Sequence, residues 1–228
     1  MTSIHRAALS LMRSDVTSWR HRPERVVPPS WSNAKRVMDI VIASTVLMLS
    51  SPVLMASALG IMASSPGSPI FSQQRVGRYG RRFTMYKLRT MRQNAHRDQH
   101  ELRDTNDVTG PVFKMRRDPR VFPFGRILRK LSIDELPNLV NVLRGEMSIV
   151  GPRPPLPGEV ENYDDFALRR LRAKPGITCL WQISGRSHVS FDEWMRLDHA
   201  YLDNWSPTYD AMIFLSTIPA VLFGKGAY

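Results

Sequence analysis

The sequence predicts a membrane-associated α+β chain, in which an apolar N-terminal helix enters the bilayer and a mostly helical domain with one small β-hairpin follows. Three observations carry that reading. From Ile40 to Ala63 runs IVIASTVLMLSSPVLMASALGIMA, 24 residues without a charge; two short strand-like segments then flank a glycine-bounded turn; helical patterns fill most of the remainder. The 228 residues, 43% hydrophobic and 23% charged, are enough to bury a core and exclude a disordered chain. A net charge of +12 calls for an anionic partner, whether nucleic acid, a phospholipid surface or a phosphorylated small molecule, and charge alone does not choose among them. The single cysteine, Cys179, excludes an internal disulfide, and no Cys/His cluster has zinc-ligand spacing, so the soluble part is expected to face a reducing compartment.

Residues 1–33 are polar, contain Pro23, Pro28 and Pro29, and read as a mobile leader without chemistry. The membrane element is expected over 34–66. As a helix its uncharged run is roughly 36 Å long, enough to span. Its place behind a polar leader argues against a secretory signal. Pro52, preceded by Ser50 and Ser51, removes the bond to the Met48 carbonyl and bends the helix. Both flanks are basic, with Arg20, Arg22, Arg25, Lys35 and Arg36 before the run and Arg75, Arg78, Arg81, Arg82, Lys87, Arg89 and Arg92 after it. Positive residues stay cytoplasmic, which favours a segment that dips in and returns. A proline-kinked single span and a buried core helix stay open as alternatives.

Residues 67–228 form the expected second region. After the turn SSPGSP, the stretches PIFSQQRVG and RRFTMYKLRTM read as strands around Gly77 to Gly80. A polar helix is expected over 91–106 and a short basic one over 123–130. The acids of 159–174 come early and its bases late, matching a helix dipole before the stop at Pro175-Gly176. Over 191–204, Phe191, Trp194, Leu197 and Tyr201 recur at helical spacing and read as core. The stretch 211–223, too short to span, either lies on the bilayer interface beside Trp205 and Tyr209 or is buried in the protein.

LSIDELPNL (131–139) sets Asp134 and Glu135 together after a basic run. Ser132 to Glu135 fits a capping box, but Pro137 would then conflict with the Ile133 carbonyl. With Asp134 as N-cap, Pro137 falls in the first turn and both acids stand at a helix N-terminus, where anions are favoured. Neighbouring side chains diverge by about 100°, so the two acids are expected to divide their labour. Cap and reactive site remain equal on local grounds. Further on, GPRPP fixes Arg153 between prolines, and a guanidinium suits phosphate oxygens.

Taken in order, KRVMDIVIA, SSP, FSQQRVG, YKLRTM, SIDELPNLVNVLRGEMSIVGPRP, KPGIT and WQISGRS resemble the bacterial sugar transferases, the monotopic polyprenyl-phosphate phosphoglycosyltransferases, and among them the exopolysaccharide-initiating type that handles hexose 1-phosphate. The likeness runs from about Lys35 to Tyr228. It implies a re-entrant helix bent at Ser51-Pro52 and a cytoplasmic catalytic domain on the bacterial inner membrane. By motif position Asp134 resembles the nucleophile and Glu135 its acidic partner, both candidate Mg²⁺ ligands. Arg129 and Arg153 match cations near the phosphates, Lys87 and Arg89 further substrate contacts, and Arg186 of SGRS a nucleotide contact. Cys179 departs from the small residue expected in that loop.

The implied reaction moves a hexose 1-phosphate from a UDP-sugar to polyprenyl (undecaprenyl) phosphate through an Asp-phosphosugar, releasing UMP. Both substrates are anionic, which suits the basic surface and a metal held by one or two carboxylates plus phosphates. The rivals are a non-enzymatic peripheral protein that binds anionic membrane lipids and nucleic-acid binding, which the uncharged run and the lack of a recognition motif oppose. The sequence does not name the hexose, glucose or galactose, and leaves the oligomeric state open, a homo-oligomer included.

Overall fold

Residues 29–93, 95, 115, 118–184 and 190–222 are described by the structure, a computed structural model. Helix α1 runs from Pro29 to Ser64 with Pro52 inside it. Proline brings no N–H to the Met48 carbonyl, and the Ser51 hydroxyl takes that place, donating to Met48 O at 2.8 Å. In a surrounding without water such a local replacement is what makes an internal proline tolerable.

Helix α1 has two faces. Ile42, Ala43, Val46 and Leu47 pack into the main core, while Leu54 and Ile61 join a second cluster with Leu88, Phe122 and Leu128. Val41, Met48, Leu49, Met55, Leu59 and Met62 are exposed. The stretch Ser32–Ser64 is long and apolar enough to cross a membrane, and this side of it is a bare apolar surface.

Both ends of α1 are fastened to the same domain. Near its start, Lys35 is paired with Asp210 and donates to Val150 O at 3.1 Å, and Arg36 donates to the carbonyls of Val142 and Leu143 at 2.6 and 2.7 Å. The buried Asp39 accepts from Ser148 Oγ at 2.9 Å and from the Ile149 amide at 3.0 Å. Just past the other end, Arg89 donates to Ser65 Oγ and Ser65 O, each at 2.7 Å.

Strands β1 (Ile70–Val76) and β2 (Arg82–Leu88) form the expected antiparallel hairpin. Tyr79 and Gly80 turn it with positive φ. Helix α2, Pro123–Lys130, begins on a proline at its first position and has the expected bounds. Met91 bridges to Val121, but the helix expected over 91–106 lies almost wholly outside the described residues.

Three expectations need correction. Asp134 does not cap an α-helix, and Ser132 makes no side-chain cap. Ser132 adopts φ 54°, a single 3₁₀ turn covers Ile133–Glu135, and helix α3 (Asn138–Arg144) starts only after Pro137. The left-handed Ser132 ends α2 sharply, leaving too few residues before the proline for a longer helix.

The single helix expected over 159–174 is instead α4 (Pro157–Val160), α5 (Asp165–Leu168) and a 3₁₀ turn, Arg169–Arg172. Glu159 accepts from the Leu156 amide at 2.9 Å and Asp164 from the Ala167 amide at 2.8 Å, so each acid starts its own short helix. The bases reach across: Arg169 pairs with Asp203 and Arg170 with Asp198. Third, Ser148–Val150 (β3) and Gly176–Thr178 (β4) pair as a short parallel sheet, a second sheet where a single hairpin was expected.

Helix α6 (Leu180–Ile183) leads towards α7, Phe191–Asn204, whose bounds match the sequence reading. Trp194, Leu197 and Tyr201 are buried in the core with Phe191 packed against them. In the last helix, α8 (Pro207–Leu222), Asp210 and Ile213 are buried while Leu215 and Ile218 are exposed. The face that carries Ile213 is protein core, as the burial alternative expects, and Leu215 and Ile218 leave part of the helix exposed.

His199 on α7 is 0% exposed. Its ring lies edge-on to Phe166, centroids 4.1 Å apart, and neither nitrogen has a well-formed hydrogen bond. Burial, then the charge of Arg169, lowers its pKa from 6.5 to about 4. The folded value lies below the unfolded one, so its contribution to stability is present above pH 6.5 and lost as pH falls through about 4. We expect that loss to reach about 3 kcal/mol. Urea midpoints at several pH values, wild type against His199→Leu in detergent, measure it; an identical pH slope in the two proteins contradicts it.

Candidate active site

The 3₁₀ turn places Asp134 and Glu135 differently, as their divergence in sequence anticipates. Asp134 is buried at 8% exposure. The Glu135 side chain is 32% exposed and its Oε1 lies 2.6 Å from Lys87 Nζ on β2. Helix α3 is fixed to β2 by Asn141, which donates to Thr84 O at 2.7 Å and accepts from the Tyr86 amide at 3.3 Å. The hairpin is thereby tied to α3 through Asn141 and to the dyad turn through Lys87.

Burial, and next the negative charge of Glu135, push the Asp134 carboxyl up to about 6, against the pull of Lys87 and Arg129. Glu135 moves the other way. Burial opposes its ionisation, but Lys87, Arg153 and Arg75 together hold it below the ordinary glutamate value. The cations are thus shared, with Arg153 and Arg75 drawing on Glu135 and both Lys87 and Arg129 acting on each acid of the pair.

Arg129, in the last turn of α2, is aimed by a bond from its Nε to Thr90 Oγ1 at 2.9 Å. Burial draws its pKa down while Asp134 and Asp118 oppose the shift. Arg153 stands at the half-buried apex of the GPRPP loop, 5.8 Å from the centre of the Trp194 ring. Asp134, Glu135, Lys87, Arg129 and Arg153 are thereby brought together.

Arg89 is not part of that group. Its guanidinium donates to Ser68 O at 2.7 Å as well as to Ser65, and so clamps the end of α1. Ser51 and Pro52 stand in the middle of α1, and Arg186 lies outside the described residues.

Sequence reasoning missed Arg75. It is buried, donates to Pro154 O at 3.0 Å and to Gln73 Oε1 at 2.7 Å, and burial followed by the charge of Arg153 lowers its pKa to about 10. The signal was available in the strand pattern. Arg75 opposes Phe83 and Lys87 opposes Phe71, which puts both cations on one face of the hairpin.

A long, largely exposed apolar helix fastened to a small domain, with a carboxylate pair among cations, sets the class as a membrane-associated enzyme. The chain belongs to the bacterial sugar transferase family, whose model matches residues 30–224. It is 51% identical over 71% of its length to the galactosyl transferase CpsE of Streptococcus agalactiae, of which it spans only 36%. It is 41% identical over 89% of its length to the exopolysaccharide production protein ExoY of Rhizobium meliloti, covering 91% of that protein. With the undecaprenyl-phosphate galactose phosphotransferase of Salmonella typhimurium the identity is 41% over 85% of the chain and 41% of the relative.

Proposed function

We propose that this chain transfers a hexose 1-phosphate from a UDP-sugar to undecaprenyl phosphate at the cytoplasmic face of the bacterial inner membrane, the first step of exopolysaccharide synthesis. The observation that carries this reading is the unlike setting of the two acids: a buried aspartate within the field of Arg129 and Lys87, beside a more open glutamate clamped by Lys87. The names of the relatives agree with it in their words for galactose phosphotransfer and exopolysaccharide production.

In the first half-reaction an Asp134 carboxylate oxygen attacks the sugar-bearing phosphorus, a new P–O bond forms, and the bond to the uridine-bearing phosphate breaks to release UMP. In the second, an oxygen of the lipid phosphate attacks the same phosphorus and frees the carboxylate. Arg129 and Arg153 hold the phosphate oxygens and offset the charge that gathers there. Lys87 keeps Glu135 ionised and fixed in place beside the nucleophile.

The donor set fits Mg²⁺. Among the described residues no group of three or more acidic, histidine or cysteine side chains is gathered. Asp134 and Glu135 offer the one or two carboxylates that magnesium takes when substrate phosphates complete its shell. When bound, the ion neutralises phosphate charge and orients the leaving group.

The re-entrant reading of α1 is supported by its fastenings. Lys35, Arg36 and Asp39 at one end and the Ser65 contact at the other all join the same domain, while Met48, Leu49 and Val53 between them are exposed. A crossing helix would have to place those two ends on opposite sides of the bilayer. Single cysteines at Ser32 and Ser72, in a Cys179→Ser background, are expected to be shielded together from a periplasmic thiol reagent. Labelling of only one from outside would establish a span. Membranes given UDP-glucose or UDP-galactose with undecaprenyl phosphate are expected to form a lipid-linked sugar, whereas a peripheral lipid-binding protein forms none.

A further inference from the structure

The GPRPP loop has an unusual problem of stiffness. Pro152, Pro154 and Pro155 carry no N–H, so the loop must be fixed mainly through its carbonyl oxygens. All four consecutive carbonyls are taken. Pro152 O accepts from the Gly176 amide at 2.9 Å, Arg153 O from Arg170 Nη2 at 2.9 Å, Pro154 O from Arg75 Nη1 at 3.0 Å and Pro155 O from the Val76 amide at 3.0 Å.

Of the two arginines among these donors, the one at Arg153 itself is the more deeply set. Arg170 is 1% exposed and pairs with Asp198 Oδ2 at 2.7 Å, at an equally buried carboxylate. Its Nη1 donates to the Tyr163 hydroxyl at 2.8 Å. The guanidinium lies 4.9 Å from the centre of the Trp194 ring, the same ring that Arg153 approaches at 5.8 Å. A charge buried this completely needs a reason beyond stability, because an ion pair in the interior gains little over apolar residues of equal volume. The reason is geometric. A planar fork serves Tyr163 from one nitrogen and Arg153 O from the other, with the Asp198 carboxylate set against it as the balancing charge.

We propose that Arg170 is a positioning residue for the reaction: with Asp198 and Tyr163 as its fixed base, it holds the Arg153 carbonyl so that the Arg153 guanidinium is presented to the substrate phosphates beside the dyad. This rests on the reading that Arg153 contacts those phosphates. Arg170 does not touch substrate, and its effect passes through Arg153.

The test is a double-mutant cycle on kcat/KM, with UDP-glucose and UDP-galactose each assayed against undecaprenyl phosphate. In the wild-type background Arg170→Lys keeps the charge but loses the fork, and we expect a fall of about 100-fold, the size of effect that a misplacement of about 1 Å produces. In the Arg153→Ala background the same substitution is expected to cost about threefold or less, since the group it positions is gone. Tyr163→Phe, which removes one hydrogen bond and little else, is expected to show the same pattern on a scale of about fivefold, and it decides the matter if Arg170→Lys fails to fold. Equal losses in both backgrounds, or no loss in either, would overturn the positioning role. Full activity in Arg153→Ala alone would remove the phosphate-contact reading and the proposal with it, an outcome distinct from additive losses.

Discussion

Asp134→Asn is expected to lower formation of lipid-linked sugar by about 10⁴-fold or more, the scale on which enzymes lose rate with their nucleophile. The substitution keeps the shape of a side chain that is 8% exposed, so the site survives while its anion is lost. It also removes the group whose ionisation is opposed by burial and by Glu135. Folding is therefore expected to be unharmed or improved, and this separates the variant from one that is inactive because it is misfolded. A loss of only tenfold, with the fold intact, would reduce Asp134 to an electrostatic or metal-holding role.

Glu135→Gln is expected to cost about 10² to 10⁴-fold, the range for a group that handles a proton or metal charge in the transition state. The amide keeps an oxygen for Lys87, but the 2.6 Å ion pair becomes an ordinary hydrogen bond. Lys87, no longer neutralised, then competes for Asp134 and for substrate phosphate. Both half-reactions are expected to slow, with UMP release and transfer to lipid affected alike. Measured separately, an unchanged second half-reaction would confine Glu135 to the first.

Much of this architecture was legible because single elements carried clear signals. The basic helix over 123–130 begins at a proline, α7 over 191–204 has its aromatics at helical spacing, and the hairpin is bounded by Gly77 and Gly80. The dyad was recognisable as acids after a cationic run, but its backbone was not. The left-handed Ser132 is a choice made by tertiary packing, and nothing in the residue type announces it. The charge gradient over 159–174 was read as a dipole pattern, yet Arg169 and Arg170 answer acids on α7 that are distant in sequence. Strands of three residues, as in β3 and β4, are too short for a period to show. Arginines were hardest to sort. Arg75, Arg89 and Arg170 are all buried and all serve backbone carbonyls, whereas in sequence they are indistinguishable from the surface charges that surround them.

The central claim is that the sugar phosphate passes through the protein itself. Purified enzyme with Mg²⁺ and the UDP-hexose that supports turnover, rapidly quenched in the absence of any lipid acceptor, tests it most directly. About one equivalent of UMP per active site is expected, with the phosphosugar retained on the chain as an acid-quenched adduct at Asp134 and both signals absent from Asp134→Asn. UMP release that strictly requires undecaprenyl phosphate, with no labelled protein at any quench time, would contradict the account and place the transfer in a single ternary complex.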